Sequence, residues 1–202
     1  MTDGNAVNDD SFISWKGEIC RKGIHLLSLT MPMGFFLFSS EIVIICLLIA
    51  FTFAGMFDLL RLFGNEKIKR FLAKYFGFIM RPREKKSFSG ATTILLAGIL
   101  VYLLFDIPVA AASMVIIVIG DTAAALFGRR FGSIRFHNKS PQGTLAFIAA
   151  SAIVVSFVPD LKYTIALGGV LVGALFEFLP LYIDDNLTVP LASGCLMHFL
   201  LA

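Results

Sequence analysis

Asp121 closes an oily run, VAAASMVIIVIG, and is followed by Arg129, Arg130, Arg135 and Lys139. A carboxylate at membrane depth is costly, so it needs a partner or a task. On a helix, Asp121, Ala124, Ala125 and Gly128 fall on one face, and a stripe of small residues lets a helix or a ligand come close. Two chemistries fit. One is a packing face whose single acid is neutralised by a nearby arginine. The other is a ligand for Mg2+ beneath the headgroup region, with Arg129, Arg130 and Lys139 gripping phosphate oxygens.

Three further clusters could take part. Glu177 interrupts the apolar stretch GALFEFLP, and Asp184, Asp185 and Asn186 follow in LYIDDNLTVP. Together they form a set of hard oxygen donors suited to Mg2+, although a solvated loop would give the two aspartates the same appearance. In CRKGIHLL, Arg21 and His25 are four apart and share a helix face. Arg21 and Lys22 could anchor the chain at a membrane surface, and His25, one turn deeper, could be a general base or a satisfied helix-end histidine. In RPREKKSFSGATT, Arg81 and Glu84 could pair, and Gly90 permits close packing of the next helix.

These residues need elements to hold them, and composition says which. Of 202 residues, 57% are hydrophobic and 15% charged, with a mean hydropathy of +0.85. A soluble domain carries about 25% charged residues, so the expectation is an all-α, polytopic membrane helix bundle. Seven apolar stretches can be marked, roughly 24–39, 41–63, 88–105, 107–127, 143–158, 163–180 and 187–202. Residues 1–15 are polar and acidic and are expected to form a disordered tail, leaving 16–202 as one transmembrane catalytic domain. Cys20, Cys46 and Cys195 show no metal or redox spacing and are expected to be buried thiols.

Charge sets the orientation. Of the 17 Lys and Arg, three lie before residue 24, nine in 61–87 and four in 128–142, leaving only Lys162 on the opposite side. The positive-inside rule then places the N-terminus in the cytoplasm and the C-terminus outside. Every polar cluster above falls at a cytoplasmic helix end. The net charge of +3 is accounted for by these boundary segments, and no nucleic-acid partner is expected.

The motifs, in their order and spacing, resemble the CTP-dependent lipid-alcohol kinases: dolichol kinase, phytol kinase and the CTP-dependent diacylglycerol kinases. The resemblance rests on RKxxH at Arg21–His25, DLLR at Asp58–Arg61, RxxE at Arg81–Glu84 and GAT at Gly90–Thr92. GDxxAxxxGxxxG at Gly120–Gly132, KSxxGTxA at Lys139–Ala146 and DDNLTVPLxxG at Asp184–Gly194 complete it. It implies CTP as phosphoryl donor, a membrane lipid alcohol as acceptor and a multi-pass enzyme with its active site at the cytoplasmic face. Asp121, Lys139 and His25 would then be catalytic. Arg21, Lys22, Arg81, Arg129, Arg130, Ser140, Gln142, Gly143 and Asn186 would contact nucleotide or phosphate. Asp121, Glu177, Asp184, Asp185 and Glu84 would be candidates to hold Mg2+. Gln142 stands where this family often has Glu, so no carboxylate role carries over there. GDTAAALFGRRFG also looks like part of phosphatidate cytidylyltransferase, but the Pro-Gly-x-Gly-Gly signature of that family is missing. A membrane transporter or scaffold is a third reading.

Overall fold

Ser14 opens the first helix by accepting a hydrogen bond from the Gly17 N–H at 3.1 Å, the usual way to satisfy a helix's orphan donors. The computed structural model describes residues 14–80, 83–133, 136 and 139–202. Most of the expected tail, and Arg81, lie outside the described residues. Helix α1 (Trp15–Leu26) continues through a 3-10 turn into α2 (Thr30–Leu37). The chain then forms α3 (Ser40–Phe63), α4 (Glu66–Phe76), α5 (Gly90–Leu104), α6 (Ile107–Phe131), α7 (Pro141–Val155), α8 (Tyr163–Phe178) and α9 (Asp185–Leu201). The described residues contain no strand beyond an isolated antiparallel bridge between Phe136 and Lys139.

Helix α6 is the axis of the bundle and touches α1, α2, α5, α7, α8 and α9. Every residue from Val109 to Val118 is buried. Its alanines and glycine make this possible, because short side chains let neighbours approach on all sides. A Cβ on Gly120 would stand 2.5 Å from the Phe147 ring of α7. The stripe below Asp121 is likewise a packing face. A Cβ on Gly143 would meet the Ala124 carbonyl at 2.9 Å, and one on Gly128 would meet Ser140 Oγ at 2.9 Å.

Helix α3 lies at the edge and exposes Ile45, Phe53, Met56 and Phe63. A contiguous apolar surface of this kind marks a membrane or partner contact. Helices α3 and α6 are long and apolar enough to cross a bilayer, and α5, α7 and α8 are apolar but shorter. The chain is an all-helical bundle in keeping with a membrane protein. Two expectations need correction. Cys20, Cys46 and Cys195 are all exposed, two of them on α3 and α9 where an apolar surface replaces a core. Residues 66–76, which lie between the marked apolar stretches in the basic 61–87 segment, form α4, with Lys67, Lys69, Arg70 and Lys74 interleaved with Ile68, Phe71, Leu72 and Tyr75. A search for uninterrupted apolar runs passes over such a helix, since its hydrophobic residues recur every three or four positions.

Candidate functional site

The polar clusters meet at one end of the bundle, where α1, the C-terminal halves of α6 and α8, and the N-termini of α5, α7 and α9 converge. The first centre is Asp121. Lys22, reaching across from α1, pairs with its Oδ2, and His25 Nε2 stands 3.6 Å from the same oxygen. Lys22 is 1% exposed, so it is no snorkelling surface anchor: a buried ammonium needs its counter-charge. Arg21, beside it, pairs with Glu18 at 2.6 Å.

The second centre is Lys139. The Phe136–Lys139 bridge, with N–O distances of 2.8 and 2.9 Å, holds the lysine just ahead of α7. Its Nζ donates to Asp185 Oδ2 at 3.0 Å and lies 3.8 Å from Glu177 Oε1. Burial pushes the Asp185 carboxyl above the ordinary carboxylate range, and Lys139 pulls it back. Glu177 is within electrostatic reach of Asp121 and Lys22 as well, which joins the two centres into one charged region.

The third group frames that region. Asp184 caps α9 by accepting from the Asn186 N–H at 3.0 Å. Asn186 Nδ2 donates to the Gly90 carbonyl at 3.4 Å. A Cβ on Gly90 would stand 2.9 Å from Asn186 Nδ2 and 3.6 Å from Glu84 Oε1, so α5, α9 and the 83–89 turn meet closely here.

Other expected phosphate ligands have local duties. Ser140 caps α7 through the Gly143 N–H at 3.1 Å. Gln142 Nε2 donates to Ser133 Oγ at 2.9 Å. Arg129 stacks over the Trp15 ring at 5.3 Å, tying the end of α6 to the start of α1, while Arg130 is exposed. No three His, Cys, Asp or Glu side chains among the described residues form a ready metal-binding group. Glu177 Oε2, however, is buried without a hydrogen-bond partner.

One pair did not stand out in the sequence as chemistry. Asp58 is fully buried and accepts from Arg61 at 2.7 Å, the Ser89 N–H at 2.8 Å, Ser89 Oγ at 2.9 Å and Thr92 Oγ1 at 2.7 Å. Arg61 also donates to the carbonyls of Glu84 at 2.6 Å and Ser87 at 2.7 Å. The pair thereby holds the turn that carries Glu84. Its signal was there: an Asp and an Arg three apart inside an apolar helix.

No protein-family model matches the chain, and no solved structure does. An uncharacterised protein of Rickettsia prowazekii is 31% identical, over 87% of this chain and 90% of its own length. CTP-dependent diacylglycerol kinase 1 of Eremothecium gossypii is 26% identical, over 93% of this chain and 68% of its own length. The Saccharomyces cerevisiae protein of the same name is 28% identical, over 75% of this chain and 62% of its own length. With lysine- and carboxylate-rich centres gathered at one end of an apolar bundle, the chain belongs to the CTP-dependent lipid kinase family.

Proposed function

We propose that the protein is a multi-pass membrane enzyme that transfers the γ-phosphoryl of CTP to the hydroxyl of a membrane lipid alcohol at the cytoplasmic face. The observation that carries this reading is the meeting of Lys22–Asp121–His25 with Lys139–Glu177–Asp185. Phosphoryl transfer asks little of a protein beyond positioning and charge stabilisation, and these residues supply both. Lys22 and Lys139 neutralise phosphate oxygens, Arg21 extends the cationic rim, and His25 or Asp121 takes the hydroxyl proton. The acceptor class spans diacylglycerol, the substrate in the name of the fungal relatives, and polyprenol or phytol-like alcohols.

Mg2+ suits the donor set. The ion commonly binds through one or two carboxylates plus substrate phosphates, keeping its remaining waters. Glu177 and Asp185 would hold it, with the unpartnered Glu177 Oε2 as the available ligand, and Asp121 close by. When bound, the ion would spread the negative charge that builds on the transferred phosphate.

Purified protein in mixed micelles, given separately γ- and α-labelled CTP with prenols, diacylglycerol and phosphatidate, tests the reaction type. Attack of a lipid hydroxyl on the γ-phosphorus carries γ-label into lipid and leaves CDP. Lipid labelled only from the α position, with pyrophosphate released, would replace the kinase with a cytidylyltransferase. The orientation has its own test: a reporter fused after Ala202 should be external and one near residue 75 internal. Finding both on one side would remove the seven-span arrangement.

A further inference from the structure

Beside the charged region lies a cavity of about 260 Å3 whose two ends differ in chemistry. Ala54 and Phe57 of α3, Ile24 of α1 and the turn carrying Ile79 and Met80 make an apolar wall. Arg21, His25, Glu84 and Asn186 supply the polar end. An amphiphile with one polar terminus fits such a lining.

Two further observations identify the occupant. The wall formed by α3 backs onto the apolar surface that exposes Phe53 and Met56, so hydrocarbon lies one side chain away from the cavity. At the other end, His25 both lines the cavity and stands 3.6 Å from Asp121 Oδ2. Its Nε2 is buried without a hydrogen bond. A hydroxyl entering the polar end therefore arrives beside the His25 imidazole, at the edge of the phosphate-handling residues.

Resting on the lipid-kinase reading, we propose that this cavity is the acceptor pocket, taking the hydroxyl end and first carbons of one hydrocarbon chain of a lipid alcohol. Sites for whole drug-sized ligands occupy about 300–1,000 Å3, so a smaller cavity holds a terminus and leaves the rest of the lipid in the bilayer. Ala54 and Ala91 are small apolar side chains in the lining. Ala54 is half-buried and Ala91 exposed, so a larger residue at either has room to point into the cavity without displacing packed neighbours.

The test fills the pocket and probes it separately from turnover. Ala54→Leu and Ala91→Leu should each raise the KM for geranylgeraniol and for dioctanoylglycerol by at least about tenfold, with the KM for CTP within about twofold of its original value. A rise with only one of the two alcohols names the acceptor class. In a second arm, a long-chain alcohol bearing a diazirine several carbons from its hydroxyl is photolysed with the protein in micelles without CTP. Label should fall on peptides containing Phe57, Phe76 or Met80 and be reduced in Ala54→Leu.

Unchanged lipid KM in both variants, or label confined to other peptides, would overturn the pocket. So would a raised KM for CTP alone, which would give the cavity to the nucleotide. The two readings fail differently. Pocket labelling in a protein that transfers no γ-phosphate supports the pocket and removes the kinase. Transfer that ignores both fillings supports the kinase and removes the pocket.

Discussion

Both long apolar helices carry an aspartate near the same end of the bundle, and the protein treats the two in opposite ways. Asp58 of α3 is completely enclosed. Its oxygens are taken by Arg61, two hydroxyls and a backbone N–H, all from residues 61–92. Asp121 of α6 is partly exposed and is met by a lysine and a histidine from the other end of the chain. Burial depth alone would rank Asp58 as the more important acid. The partners say otherwise. A carboxylate held by a fixed set of backbone and hydroxyl donors is architecture, because hydrogen bonds to a buried charge are costly to lose. One paired with cations from another helix can release them to a phosphate and take a metal cation in their place.

The comparison breaks most visibly at Asp121. Asp121→Asn keeps the shape and removes the charge, and turnover should fall by about 10²–10³-fold, as on removing a main electrostatic contributor. Stability in detergent should fall as well, because Lys22 is left buried without its counter-charge, so turnover is read per folded molecule. Near-normal turnover would make Asp121 a packing acid like Asp58. The mirror experiment is Asp58→Asn, which strands Arg61 and should cost about 2 kcal/mol of stability. Activity per folded molecule should stay within about threefold. A large specific loss of turnover with normal unfolding would place Asp58 in the chemistry.

The pairing itself can be measured. A double-mutant cycle of Lys22→Met and Asp121→Asn should return a stability coupling of about 1–2 kcal/mol, in the range for residues in direct contact. A coupling near zero would mean that the two do not meet. The smallest effect is expected at Gly90→Ala. The new methyl displaces Asn186 Nδ2, the far end of a flexible side chain that lines the proposed acceptor pocket, so the KM for the lipid alcohol should rise about three- to fivefold with stability nearly unchanged. A loss as large as that of Asp121→Asn would promote the Gly90–Asn186 contact from frame to active site.

How much of this was legible beforehand follows from range. The apolar helices were readable because apolar runs are local, whereas the amphipathic α4 was not, and the grouping of Asp121, Lys139 and Asp185 was readable because each sits at a run's end. Who pairs with whom was not. Lys22 looked like an anchor since its role depends on a contact 99 positions away, and the sequence around it names only a basic patch. Ser140 looked like a phosphate ligand, although its position before Pro141 and Gly143 is also that of a helix cap. For Arg129, nothing local points to Trp15.

The arrangement around Lys139 has a consequence for how ligands can enter. One ammonium serves two carboxylates, Asp185 and Glu177, so the pair is tolerable at short range only while that cation stays. A phosphate that draws Lys139 toward itself leaves two negative groups facing one another, and a divalent cation is what such a gap attracts. Conversely, a cation settling between the carboxylates releases the lysine for an anion. On the proposed function, each arrival would prepare the place of the other, and by linkage the favour would be equal in both directions. The site would then exchange ions so that no charge is left bare in a poorly polarisable surrounding.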